Sequence, residues 1–257
     1  MSVRELFELG GKVALITGGS RGLGLQMAEA LGEMGCKVAI SARKGDELAQ
    51  AKAHLEALGV EVLTVVNDLS KPEGIPGLVD QVLERFGTID ILVNNAGATW
   101  GAPAEDHPDA AWRKVMALNI DAMFFLSREV GKRVMIPKRA GKIVNIASIA
   151  GLRGTPPGMN TISYSTSKAA AINFTRTLAS EWGQYNINVN AILPGFFPSK
   201  MASGLIGQFG DTLLARTPLR RIGGEEDLKG AVVFLASEAA RHITGHGLVV
   251  DGGSSIV

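Results

Sequence analysis

Val13-Ala14-Leu15-Ile16-Thr17 leads without a break into Gly18-Gly19-Ser20-Arg21-Gly22-Leu23-Gly24. Five residues rich in branched aliphatics suit a strand covered on both faces. The glycines permit a sharp turn with close backbone approach, and residues 23–34 then carry a helical pattern. A helix amino end offers unpaired N–H groups and a partial positive charge, so this turn suits a pyrophosphate. Its spacing, Gly18-x-x-x-Gly22-x-Gly24, differs from the G-x-G-x-x-G of many dinucleotide sites. A glycine trio alone needs no ligand. The strand before it and the helix after it give it weight.

The same alternation continues outward. Short apolar runs at 13–17, 37–41, 62–66, 89–93, 142–146, 188–193 and 248–250 read as strands. Helical patterns lie between them at 23–34, 46–58, 76–86, 110–134, 163–182 and 225–236. Strand–helix alternation implies right-handed crossovers, and hence an α/β, doubly wound, mainly parallel seven-stranded sheet with helices on both faces. With no linker or repeat in view, residues 1–257 read as one domain. Residues 196–224 mix apolar side chains with Pro198, Pro218 and glycines, and suit either a substrate lid or a peripheral helix pair.

Composition excludes several classes. Hydrophobic residues make up 46% and charged residues 20%, enough apolar material for a sizeable core. A formal net charge of +1 argues against a nucleic-acid binder. Cys36 is the only cysteine, which rules out an intrachain disulfide and favours a cytoplasmic setting. No run approaches the ~18 apolar residues of a membrane span, and the start, with Arg4, Glu5 and Glu8, does not read as a signal peptide.

Further motifs sit beyond the other strands. Asn94-Asn95-Ala96-Gly97 follows the fourth, Ser148 the fifth and Pro194-Gly195 the sixth, with Asn119 in the long helix and Tyr164 and Lys168 in the next. In this order, from Thr17 to Gly195, the chain resembles the short-chain dehydrogenase/reductase family. The resemblance implies a Rossmann-type fold, a nicotinamide cofactor, and an oxidoreductase that acts on CH–OH groups or the matching carbonyls. It places the cofactor along Gly18, Ser20, Arg21, Gly22, Leu23 and Gly24, then Arg43, Asp68 and Leu69. Asn95, Ala96, Gly97, Tyr164, Lys168, Pro194, Gly195 and Ser199 complete that path. Within it, Asp68 matches a residue at the adenine and Asn95 to Gly97 a stretch beside the adenosine ribose. Ser199 stands where relatives often have threonine at the nicotinamide amide, and Pro198 where they often have an acid.

An NAD site usually carries an acid at the end of the second strand. That place is Ala42, followed by Arg43, while Arg21 lies in the glycine turn. Two guanidinium groups suit the dianionic 2′-phosphate of NADP(H) through paired charge-assisted bonds. The alternative is a pair of solvated surface arginines.

Tyr164 and Lys168 are one helical turn apart and project from one face, separated by ~6 Å of rise. A phenol with pKa about 10 is a poor base at neutral pH, and a neighbouring ammonium is expected to lower it. Ser148, just past a buried strand, is placed to donate to a substrate oxygen. The resemblance adds Asn119, in a locally opened helix that holds a water on a proton path from Lys168. These four, Asn119, Ser148, Tyr164 and Lys168, form the expected catalytic set. Ser148 and Tyr164 stand further apart than in many similar enzymes, because residues 154–160 are longer and are expected to wall the substrate site.

Other signals carry less. His242 and His246 lack a third ligand, so no metal is expected. Ser148 is in no G-x-S-x-G elbow. The basic run Arg128, Lys132, Arg133, Lys138 and Arg139 reads as a solvated helix end. In the 3-oxoacyl-carrier-protein reductases, which the chain resembles, two arginines dock the carrier; Arg139 matches one and Tyr185 replaces the other, which leaves half of such a site. Trp100, Leu152, Met159, Phe196, Phe197, Met201 and Leu205 are candidate pocket residues and suggest a largely apolar carbonyl substrate. The expected reaction is reduction of a 3-oxoacyl thioester or similar ketone. A gluconate 5-dehydrogenase type of activity is the alternative, and a non-catalytic NADP sensor is disfavoured because Tyr164 and Lys168 are both present. The long helices resemble those that pair subunits in the family, which implies a homotetramer.

Overall fold

The computed structural model describes residues 1–257. A short capped turn, α1 (Val3–Leu6), precedes β1 (Val13–Thr17), α2 (Gly22–Glu33), β2 (Lys37–Ala42), α3 (Gly45–Ala57) and β3 (Val62–Val66). The chain then forms α4 (Ile75–Phe86), β4 (Ile91–Asn94), α5 (Asp109–Met116), α6 (Ala122–Val130), α7 (Ile136–Lys138) and β5 (Gly141–Ile146). It closes with α8 (Ile162–Trp182), β6 (Ile187–Pro194), α9 (Ser203–Arg216), α10 (Lys229–Ala236) and β7 (Gly247–Val250).

The seven strands form one sheet in the order β3-β2-β1-β4-β5-β6-β7, with every neighbouring pair parallel. The doubly wound α/β fold expected from the alternation is therefore present. β1, β4 and β6 are buried throughout and β5 from Ile143 on, which is why they are rich in branched aliphatics, with Asn94, Asn145, Asn188 and Asn190 as buried polar residues among them. One face, with Ile16, Ile40 and Val144, packs on Leu31 of α2 and Val232 of α10. The other, with Leu15, Leu92 and Val189, packs on α4, α6 and α8 through Leu78, Leu126 and Leu178. Strand order reverses between β1 and β4, and that opens a crevice at the carboxyl ends of the strands.

Two differences from the sequence reading bear on the site. The helix expected over 110–134 is interrupted by π turns at Ala117–Asp121 and Gly131–Met135. Such turns widen the helix and release it from its regular hydrogen bonding. The helix expected over 225–236 begins at Lys229, because Asp227 instead accepts from the Gly224 N–H and pairs with Arg221. Within 196–224, residues Ser203–Arg216 are helical.

Candidate active site

Thr17 ties the glycine turn to the loop after β4. Its Oγ1 accepts from the N–H groups of Asn95 (2.9 Å) and Ala96 (3.0 Å), and the Asn95 amide donates back to the Thr17 carbonyl at 2.8 Å. Gly18 has φ +64°, and a Cβ there would lie 3.0 Å from the Asn95 amide nitrogen. At Gly24 a Cβ would lie 2.3 Å from the Gly18 carbonyl, so these two glycines are dictated by close approach. Gly22 has φ +54° but open space where its Cβ would point, on the cavity side of the turn. That opening at a helix amino end is a cradle a pyrophosphate can enter.

Arg21, Arg43 and Lys44 line the outer end of the same cavity. Ser41, 1% exposed, and the carbonyl oxygen of the Asn67 side chain also face it without an intramolecular partner. Buried polar groups are rarely left so, and both fit the hydroxyls or edges of an adenosine. Leu69 lines this end too, whereas the Asp68 carboxylate turns to the hydroxyl (2.7 Å) and N–H (3.1 Å) of Ser70. Asp68 does not line the cavity. Ser70, with Arg43 nearby, holds its pKa below the ordinary carboxylate value.

At the inner end, a buried polar chain fixes the strands to the helices. The Asn94 amide donates to Asn145 Oδ1 (2.9 Å) and to Ser127 Oγ (3.0 Å), and the Asn145 amide donates to Thr175 Oγ1 (3.0 Å). This locks α8, and with it Tyr164 and Lys168, against β4 and β5. Lys168 is 4% exposed and donates from Nζ to the Ile146 carbonyl at 2.6 Å. Nζ lies 5.5 Å from the centre of the Tyr164 ring. Burial lowers the Lys168 pKa to about 8. Burial also raises the Tyr164 phenol above its ordinary value, and the Ser148 hydroxyl offsets this only in part. The expectation of a lowered phenol is therefore corrected: burial raises it, and only the Ser148 hydroxyl opposes that.

Ser148 Oγ accepts from the Ala150 N–H at 3.1 Å, and its own hydroxyl lies within hydrogen-bonding reach of the Tyr164 phenol on the cavity wall. Asn119 sits in the π turn, where its Oδ1 accepts from the Ala98 N–H (2.8 Å) and its amide donates to the Ala98 carbonyl (3.0 Å) and Ser167 Oγ (2.8 Å). Its side chain thus fastens the loop after β4 to α8, rather than bonding Lys168.

The cavity has a volume of about 750 Å³ and takes in Gly18, Ser20, Arg21, Gly22, Leu23, Gly24, Arg43 and Leu69. Beyond these it reaches Asn95, Ala96, Gly97, Ser148, Tyr164, Lys168, Pro194, Gly195 and Ser199. Met159, Phe196, Phe197, Met201 and Leu205 wall its far end, with Thr155 and Pro156 from the longer loop. Trp100 and Leu152 do not line it and are 43% and 47% exposed, which corrects their placement as pocket residues. Ser41, Lys44, Glu47, Asn67 and Arg153 do line it and were not singled out from the sequence. Polar residues near strand ends are common, and only the folded chain selects those that turn inward.

A family model described as short chain dehydrogenase matches residues 12–208. The chain belongs to the short-chain dehydrogenase family. Among its relatives, gluconate 5-dehydrogenase of Gluconobacter oxydans is 37% identical, over 100% of this chain and 99% of that protein. The 2-dehydro-3-deoxy-D-gluconate 5-dehydrogenase of Escherichia coli is 40% identical over 98% of each. A solved gluconate 5-dehydrogenase from Burkholderia cenocepacia, in complex with NADP and tartrate, superposes with a TM-score of 0.94 at 33% identity over the full length of both chains. As a short-chain dehydrogenase the chain is an oxidoreductase acting on CH–OH groups. Three cations of the basic run are engaged internally: Arg133 with Asp80 (2.6 Å) and Glu129 (3.2 Å), Lys138 with Asp90, and Arg139 with the Gln184 carbonyl (2.8 Å).

Proposed function

We propose that this short-chain dehydrogenase is NADP(H)-dependent and interconverts a ketone and a secondary alcohol on a small anionic polyhydroxy acid of the gluconate kind. The observation that carries the substrate class is charge: Arg153, Lys200 and Arg216 lie around the far end of the cavity, where no acidic side chain faces them and Arg153 donates to the Val257 carbonyl oxygen at 3.0 Å. Carboxylate recognition is what such a rim supplies. Full-length relatives that act on gluconate or its deoxy-keto derivative support the same reading, as does the solved relative that holds tartrate, a hydroxy dicarboxylate. The reading takes the sugar-acid alternative over 3-oxoacyl reduction. The apolar wall of Met159, Phe197 and Leu213 favours the thioester as the second reading.

For the cofactor, the glycine turn would hold the pyrophosphate, and Arg21, Arg43 and Lys44 would meet a 2′-phosphate. When bound, the reduced nicotinamide supplies the hydride. Ser148, beside Tyr164 on the cavity wall, turns its hydroxyl to the substrate oxygen, and Tyr164 gives that oxygen its phenolic proton in reduction and takes it back in oxidation. Lys168, held by the Ile146 carbonyl with its ammonium 5.5 Å from the Tyr164 ring centre, stabilises the phenolate left when the proton is given up. Asn119 positions Gly97, whose Cβ would lie 3.2 Å from its Oδ1, and α8 through Ser167. Helix α9 and its approach form the lid over the far end, in a single domain. Trp112, Phe124 and Ile162 leave large apolar side chains exposed on α5, α6 and α8, which supports a homotetramer; sedimentation as a monomer contradicts it.

The test is a panel of 5-keto-gluconate, 2-dehydro-3-deoxygluconate-type acids, neutral ketones and 3-oxoacyl thioesters, assayed with NADPH. The keto acids are expected to turn over with the highest kcat/KM, and Arg153→Ala to raise KM for them alone. Preference for the neutral ketones or thioesters refutes the sugar-acid reading.

A further inference from the structure

Glu47 is in the first turn of α3, inside the cavity end that holds Arg21, Arg43 and Lys44. Its carboxylate lies 2.7 Å from Arg21 Nη1 and 3.1 Å from Lys44 Nζ, and the Ser20 hydroxyl donates to it at 3.4 Å. It is the only acidic side chain lining the cavity. Two of the three cations that would meet a 2′-phosphate are therefore already paired with a carboxylate.

A dianionic phosphate and this carboxylate seek the same guanidinium and ammonium, and at such range they also repel each other. The Arg21 side chain is 51% exposed and that of Lys44 58%, so the existing pairs are solvated and exchangeable. A 2′-hydroxyl brings no charge, meets no competition, and finds in Glu47 an acceptor.

We propose that Glu47 sets the selectivity between the two nicotinamide dinucleotides: it competes internally for Arg21 and Lys44 and so restrains the preference for a 2′-phosphate. The inference rests on the NADP(H) reading above. It makes this carboxylate, absent from the strand end where discrimination is usually sought, the residue that keeps NADH usable.

The full-length protein and its Glu47→Gln variant are titrated with NADPH, NADH, adenosine 2′,5′-bisphosphate and adenosine 5′-monophosphate, with binding read by calorimetry. In Glu47→Gln, Kd for NADPH and for the bisphosphate is expected to fall on the order of 3- to 10-fold. Kd for NADH and for the monophosphate is expected to stay level or rise. Glu47 also complements the amino end of α3, so Glu47→Asp, which keeps that charge on a shorter arm, is measured beside it and is expected to give a smaller shift of the same sign. Equal shifts for both ligand pairs, or weaker NADPH binding in a Glu47→Gln protein that melts like the parent, overturn the inference. The parent's own preference tests the underlying reading separately. A parent that does not favour the bisphosphate over the monophosphate removes the NADP(H) assignment, and this inference with it.

Discussion

The ammonium of Lys168 lies 5.5 Å from the centre of the Tyr164 ring while its hydrogen bond goes to the Ile146 carbonyl at 2.6 Å. One cation thus serves the carboxyl end of β5 and the phenol together. Both partners are deep in the fold, and burial moves their pKa values in opposite directions, the ammonium down to about 8 and the phenol up. This pushes each toward its neutral form.

Tyr164→Phe keeps the ring and removes the proton. NADPH binding is expected to remain within about twofold of the parent, while kcat falls by about 10²–10⁴, the usual worth of a positioned acid. Calorimetry beside steady-state turnover reads the two effects apart. Unchanged turnover takes Tyr164 out of the reaction.

Lys168→Met is expected to stabilise the protein without cofactor at pH 7 while it abolishes turnover. A folded-state pKa near 8, against an ordinary 10.5, means that folding disfavours the charged lysine. The penalty is full below about pH 8 and vanishes as pH rises through 10.5. At pH 7 the gain is on the order of 1–3 kcal/mol after the lost Ile146 hydrogen bond is discounted, or a few degrees in Tm. Melting curves at pH 7 and pH 10 check the sign: the two proteins should converge at the higher pH.

The rate of alcohol oxidation is expected to climb with pH through the range 7–9, because it requires the Tyr164 phenolate and burial holds the phenol above its ordinary value. Reduction uses the protonated phenol and should hold level through neutrality. Rate profiles in both directions decide this, and an oxidative rate that falls between pH 7 and 9 counts against the assignment.

Arg43→Asp puts a carboxylate one residue past Ala42, the strand end where NAD-binding folds place one. NADPH affinity is expected to fall by about tenfold or more, as one charge-assisted partner is lost and a repulsive one appears. NADH affinity should hold or improve. A parent that binds the two equally would show that the guanidinium faces solvent in solution.

Much of the architecture was legible because the deciding signals are local. Val13 to Gly24 is a strand, a turn whose glycines have no alternative at Gly18 and Gly24, and a helix, all readable from neighbours in sequence. The set Asn119, Ser148, Tyr164 and Lys168 was legible through its order, and the fold does bring all four to one end of the sheet. What escaped depends on the third dimension. Trp100 and Leu152 are apolar and near the site, yet their loops turn them to solvent. Glu47 carries no signal of its own in the sequence, and only the placement of α3 brings it to Arg21 of the glycine turn. The phenol's direction of shift was misjudged because the spacing of Tyr164 and Lys168 reveals their charges but not the water removed from around them.

The amides of Asn94 and Asn145 stand opposite each other in the pairing of β4 with β5. A slip of one residue along either strand would turn an amide out of that pairing and into the aliphatic layer beneath, at a cost of several kcal/mol. Two otherwise interchangeable hydrocarbon ribbons therefore have a single alignment in which they can zip. The register that brings the two amides together is also the one that sets the ends of both central strands, and hence the floor of the crevice, at one level.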